Sequence, residues 1–200
     1  MSKIIKLKKG FDINLAGKAD KKVVDPKQPE TFAYKPSSFH GILRPKLMVQ
    51  EGTNIKAGTP ILFDKTKEKV MHVAPVSGEV VEIKRGPKRK LLEVVILADK
   101  EIQYEDFKKS SAADISSIGK EEVIERMLES GVWPNLVQRP YGIIANPDDN
   151  PKAIFISAFD SHPLAPDYDI TSKGDDQYFQ AGLSILKRLT SGDIQMNITR

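Results

Sequence analysis

The chain has 200 residues, 40% of them hydrophobic and 29% charged, with a formal net charge of +4. That balance is ordinary for a globular chain, and the length suffices for one large or two small cores. No apolar run reaches the roughly 18 residues of a membrane span, and the absence of cysteine excludes disulfides, thiolate chemistry and cysteine-bound zinc or iron–sulfur sites.

The start (MSKIIKLKKGFDINLAG) lacks the continuous apolar core of a signal peptide, and the absence of cysteine fits a cytosolic chain. Residues 3–7 alternate well enough for one edge strand, and the chain is loop-like around Pro26 and Pro29. From Phe39 the pattern changes to short apolar runs at 47–49, 61–63, 70–73, 80–83 and 91–97, with Ile55 between the first two. Gly52, Gly58, Gly78 and Gly86 separate them, where the chain must reverse with positive φ. Short strands at this spacing predict a small barrel or sandwich, with its strands between 35 and 100. The Gly52 and Gly78 halves read as quasi-equivalent hairpins. Residues 1–100 are therefore taken as one β-rich domain.

A polar bridge over 99–117 leads to a helix ending at Ser130, with Val123, Ile124, Met127 and Leu128 on one face. Acidic residues fill its first turn, and Gly131 stands where a left-handed C-cap belongs. Residues 153–158 (AIFISA) read as a buried-type strand, and 175–189 as a helix with Phe179, Leu183 and Leu186 facing inward. Ser191-Gly192 turns the chain into a strand carrying Ile194, Met196 and Ile198, which completes a β-α-β unit. Two strands cannot cover their helix. Residues 101–200 are thus expected to be the first part of an α/β domain that continues past Arg200.

The stretch 51–83 is written like a domain that carries biotin or lipoate on a lysine. Counting back from Ala74-Pro75 places Lys67 at the hairpin tip, flanked by Thr66 and Glu68 rather than by the methionines of a biotin site. Asp64-Lys65 resembles the lipoyl pair but falls two residues early. A carrier modified on Lys67 or Lys65 is the alternative reading, and the lack of a flexible linker after Lys100 weighs against it. His40, His72 and His162 have no partners at metal-ligand spacing, and no phosphate loop, nucleophile elbow or dinucleotide fingerprint is present. Asp160 either lines a crevice at the end of a strand or makes an Asx turn into Pro163. The basic run 84–90 (KRGPKRK) is either a solvated turn or a patch for nucleic acid, anionic lipid or acidic protein. Residues 130–142 (SGVWPNLVQRPYG) set Trp133, Arg139 and Tyr141 among prolines. That arrangement suits an apolar ring ligand or a partner surface, with capping of the core as the rival role for Trp133.

Residues 41–58 (GILRPKLMVQEGTNIKAG), Phe63-Asp64-Lys65, 74–78 (APVSG) and Arg85-Gly86 with Arg89 carry a resemblance. So do 129–133 (ESGVW), Arg139-Pro140 and 153–164 (AIFISAFDSHPL). Together they resemble the N-terminal region of the family that forms the A subunit of sodium-translocating NADH:quinone reductases. The resemblance implies an α+β, multi-domain chain. It begins with a barrel-sandwich, biotinyl/lipoyl-like domain and goes on to an α/β domain related to the flavin-binding component of complex I and the C component of the Rnf complex. It further implies a peripheral component on the cytoplasmic side of the bacterial inner membrane, meeting ubiquinone and not catalytic in isolation. FMN, FAD and iron–sulfur centres are expected on partner subunits. Where those relatives have a glycine-rich nucleotide loop this chain has 131–136 (GVWPNL), so no cofactor is expected on it. If a quinone headgroup docks here, the assigned residues are Trp133, Arg139 and Tyr141.

Overall fold

In a computed structural model, which describes residues 13, 15–17, 19–115 and 117–198, seven strands form two facing sheets. The edge strand expected over 3–7 lies outside the described residues. Strands β1 (Thr31–Tyr34), β2 (Pro45–Leu47), β3 (Asn54–Ile55), β4 (Pro60–Asp64), β5 (Lys67–Val73), β6 (Gly78–Arg85) and β7 (Leu91–Ala98) pair antiparallel, in the orders β1-β7-β6-β3 and β2-β4-β5. Alternation drives the pairing: Ile61, Leu62, Val80, Val94 and Ile96, from both sheets, meet in one core with Val49, Ile55, Ala74, Val76 and Leu91. Each fully buried aliphatic side chain contributes on the order of 1.5–3 kcal/mol.

Gly52 and Gly58 turn with φ of 82° and 98°. Gly78 sits at φ 147°, where a Cβ would run into the Leu97 carbonyl oxygen, so no other residue fits there. Gly86 departs from expectation, being extended at φ −99°. The β6–β7 turn instead reverses at Lys88 and Arg89, at φ 54° and 58°. That conformation costs a non-glycine residue roughly 1–2 kcal/mol.

The bridge beyond Ala98 is stitched to the barrel. Ala57 N–H donates to the Gln103 carbonyl (2.9 Å) and Glu105 N–H to the Ala57 carbonyl (2.8 Å). Buried Ser77 donates to Asp99 (2.7 Å) and accepts from Gln103 N–H (2.9 Å). A short turn, α1 (Ala112–Ile115), then leads to α2 (Lys120–Glu129). That helix ends as its sequence predicts. Gly131, at φ 70°, donates to Leu128 and Val132 donates to Met127, a Schellman closure. Strands β8 (Val137–Gln138) and β9 (Ile143–Ile144) form a hairpin. After it come β10 (Ile154–Ser157), α3 (Tyr168–Thr171), α4 (Asp176–Leu186) and β11 (Ile194–Asn197), with β10 and β11 parallel. This is the expected β-α-β unit, with two differences. Phe155 is exposed within β10 and Phe179 within α4, because a two-stranded sheet leaves one face without a covering layer. Inward packing of α4 is carried by Ile185 and Leu186, whose neighbours in the second core include Val123 and Trp133.

Candidate functional site

The hairpin between β4 and β5 is where a carrier domain would hold its cofactor. Its tip is Lys65-Thr66, since Asp64 pairs with Lys67 across the ladder. The position expected for the tip, Lys67, is therefore the first residue of β5. Two register shifts in this pair, at 60–62 and 63–64, defeat counting back from Ala74-Pro75.

Asp64 fastens the turn from inside. The carboxylate, 3% exposed, accepts from Thr66 N–H and Thr66 Oγ1 (both 2.7 Å), Arg44 N–H (3.1 Å) and Leu43 N–H. Burial alone would raise its pKa, but these four donors outweigh it and hold the carboxyl below the usual range. Beside it, burial pushes His72 down to about 4, against the pull of the Asp64 charge. The neutral ring shares a hydrogen bond between Nδ1 and the Tyr34 hydroxyl (2.6 Å), and burial pushes the Tyr34 phenol above the ordinary tyrosine range, so it keeps its proton. Phe39 stacks on Tyr34 (5.4 Å) and meets His72 edge-on (5.1 Å). Nothing in the sequence singled out this polar cluster except the alternation that turned His72 inward.

The lysines of the hairpin divide. Lys65 is exposed at the tip. Lys67, half-buried, donates its ammonium to the Ile144 carbonyl in β9, and Lys69 pairs with Asp148 (3.2 Å). Both partners lie in the second half of the chain. The apolar side of β5 follows: Val70 packs in a core with Val123, Trp133, Ile144 and Leu189, not with the barrel cluster. Gly131 lies so close to Val73 that a Cβ would collide with its methyls. The hairpin is docked.

Trp133, Arg139 and Tyr141 are not brought together as one exposed surface. Trp133 is 4% exposed, and its indole N–H donates to the Ala145 carbonyl (2.9 Å), so the ring anchors the second core. Arg139 and Tyr141 are exposed, in the turn of the β8–β9 hairpin. The amides of Gly131, Val132, Asn135 and Leu136 all donate to carbonyls within 127–133, which leaves them turned to the loop's own closure. Asp160 accepts from His162 N–H (2.9 Å) and pairs with the His162 ring (2.8 Å), the Asx turn entering Pro163.

Two recesses lie elsewhere. One, of about 580 Å³, is an open groove lined by Leu47, Val49, Glu51, Ile83 and Arg85. The other, of about 330 Å³, lies between the start of α2 and the turn before β11, lined by Lys120, Asn150, Arg188 and Thr190. Among the described residues no three His, Asp or Glu side chains gather as a metal site, and no helix is long and apolar enough to cross a membrane.

Comparison with known proteins agrees with this architecture piece by piece. Residues 5–99 match the family described as NqrA N-terminal barrel-sandwich hybrid domain, and residues 118–200 match the NqrA second alpha/beta domain. A protein of Alcanivorax borkumensis, named as the A subunit of a Na(+)-translocating NADH-quinone reductase, is 35% identical over 192 residues, covering 96% of this chain and 42% of that relative. Proteins of the same name from Yersinia pseudotuberculosis (35% identical, 96% and 43% covered) and Pseudomonas aeruginosa (34%, 93% and 41%) are similar to it in the same way. The chain thus spans about two fifths of the length of the curated relatives it matches.

Proposed function

The chain belongs to the NqrA family, and from that premise we propose that it works as a portion of the A subunit of a sodium-translocating NADH:quinone reductase, as a docking scaffold without a redox cofactor of its own. The enzyme would couple oxidation of NADH and reduction of ubiquinone to sodium export. FMN, FAD and iron–sulfur centres would sit on partner subunits, and this one would lie peripherally on the cytoplasmic face of the inner membrane. We divide it at about residue 100, with the seam at β5 holding the halves together.

The observation that carries the scaffold reading is the state of the carrier-type hairpin. A swinging arm needs a free tip and a loose tether. Here the tip residue Lys65 is exposed, but the hairpin behind it is fixed, with Lys67 and Lys69 tied to Ile144 and Asp148, and the exit segment is bonded to Ala57. The segment 131–136, expected from the resemblance to stand in place of a nucleotide loop, is likewise closed on itself around Trp133. Quinone contact is proposed in a narrower form than the sequence alone suggested, at Arg139 and Tyr141, with Trp133 holding their hairpin from beneath.

The test is purification of the chain, tagged, from membranes of the organism that makes it. Expected are co-eluting membrane subunits with sodium-stimulated NADH:quinone reductase activity, and a separately purified chain that is colourless and unmodified by intact mass. A chain that elutes alone from membranes, or that carries stoichiometric flavin, biotin or lipoate, would overturn the reading. For the quinone contact, Arg139→Ala with Tyr141→Ala should raise the KM for quinone in the assembled enzyme. An unchanged KM would refute that assignment.

A further inference from the structure

The second hairpin of the barrel is left over once the first has been accounted for. The end of β6 and the turn after it carry Lys84, Arg85, Lys88, Arg89 and Lys90, all exposed. Among the described residues, the carboxylates around it serve only one of the five cations. Glu93 bridges Lys84 and Lys35 (both 3.1 Å), Glu82 lies 3.8 Å from Lys84, and Glu51 accepts from Ile83 N–H (2.7 Å). Arg85 donates to the Arg89 carbonyl (3.3 Å), a contact that cancels no charge. The left-handed conformation of Lys88 and Arg89 is held by Gly86 N–H on the Lys90 carbonyl (2.8 Å) and Lys90 N–H on the Pro87 carbonyl (3.2 Å). Two bulky residues keep a backbone shape that glycine would adopt at less cost.

We propose that this hairpin binds anionic phospholipid headgroups, with Arg85, Lys88, Arg89 and Lys90 as the contacting cations. Leu92, 40% exposed against Gly86, gives the patch a shallow apolar flank. Residues 84–98 contain no aromatic side chain, so the stacking platform that single-stranded nucleic acid requires is missing. Among the described residues, none of these cations hydrogen-bonds or ion-pairs with the second half of the chain, unlike the lysines of the docked hairpin. The choice of a lipid rests on the preceding reading only in that it puts a bilayer nearby.

The test uses the whole chain and vesicles of phosphatidylcholine with and without phosphatidylglycerol, at low and at physiological salt, with no other protein present. Each basic residue near an anionic surface is worth roughly a fivefold change in partition. Lys88→Asn with Arg89→Asn, a pair that tolerates the left-handed turn, should therefore weaken binding to anionic vesicles roughly 30-fold. Lys100→Ser with Lys173→Ser, which removes the same net charge elsewhere on the exposed surface, should change it far less. Binding is expected to vanish on neutral vesicles and to fall with salt. Equal loss in both double variants, equal binding to neutral vesicles, or tighter binding to a single-stranded oligonucleotide or an acidic peptide would each overturn the proposal. Failure of membrane subunits to co-elute in the purification above would leave this vesicle result standing, so the two readings fail separately.

Discussion

The β4–β5 and β6–β7 hairpins occupy comparable places in the barrel, yet their cations have opposite fates. The first ends in a two-residue turn clamped by Asp64, and two of its three lysines reach carbonyl or carboxylate partners roughly 80 residues along the chain. The second ends in a strained turn whose four remaining cations face solvent. Composition does not separate them, since both are lysine-rich turns between apolar strands. What separates them is what packs behind. Val70 and Val73 of β5 lie against Trp133 and Gly131, while the buried aliphatic residues of β6 and β7 belong to the barrel core.

The contrast is broken most severely from the second core. Trp133→Ala should destabilise the chain by about 3–5 kcal/mol in urea unfolding, and hydrogen exchange should show β5 amides losing protection before those of β7. Equal loss in both strands would mean the seam is not where docking resides. Next in size is acid. His72 is held neutral with a pKa near 4 in the fold, against 6.5 when unfolded. The unfolded chain then binds the extra proton first, so stability is full above pH 6.5 and falls as pH drops toward 4. The expected loss is roughly 2–3 kcal/mol, and it should shrink to near zero in His72→Gln. Stability that stays flat across that window in the wild-type chain would refute the buried neutral imidazole.

Smaller effects sharpen the comparison. Lys67→Met removes a charged donor from the Ile144 carbonyl and should cost about 1.5–3 kcal/mol. Arg89→Gly relieves a left-handed backbone and should be neutral or stabilising by up to about 1 kcal/mol. Thermal unfolding of the two variants side by side measures whether one hairpin is structural and the other reserved for a ligand. A destabilising Arg89→Gly would place that side chain among the supports of the fold.

Much of the barrel was legible because its signals are local. Period-two alternation found β4 through β7, and the positive φ of Gly52, Gly58 and Gly78 followed from the need to reverse the chain. The Schellman closure at Gly131 was equally readable. Errors arose where the controlling contact is distant or irregular. The bulges of β4–β5 moved the tip from Lys67 to Lys65-Thr66. The left-handed pair at Lys88 and Arg89 took over a reversal that Gly86 was expected to make. Helical period puts Phe179 on the inward face, but period names a face without saying whether anything covers it, and the residue is 46% exposed. At the candidate site, the latch from Lys67 to Ile144 joins residues too far apart for any motif to show.

The stitched exit at Ala57 has a mechanical consequence. With Gln103 and Glu105 bonded on either side of that residue, and Thr59 Oγ1 donating to Glu105 (2.7 Å), the segment leaving the barrel behaves as a splint rather than a tether. A pull on residues 103–105 is therefore passed to the barrel at Ala57 and Thr59 instead of being taken up by slack chain.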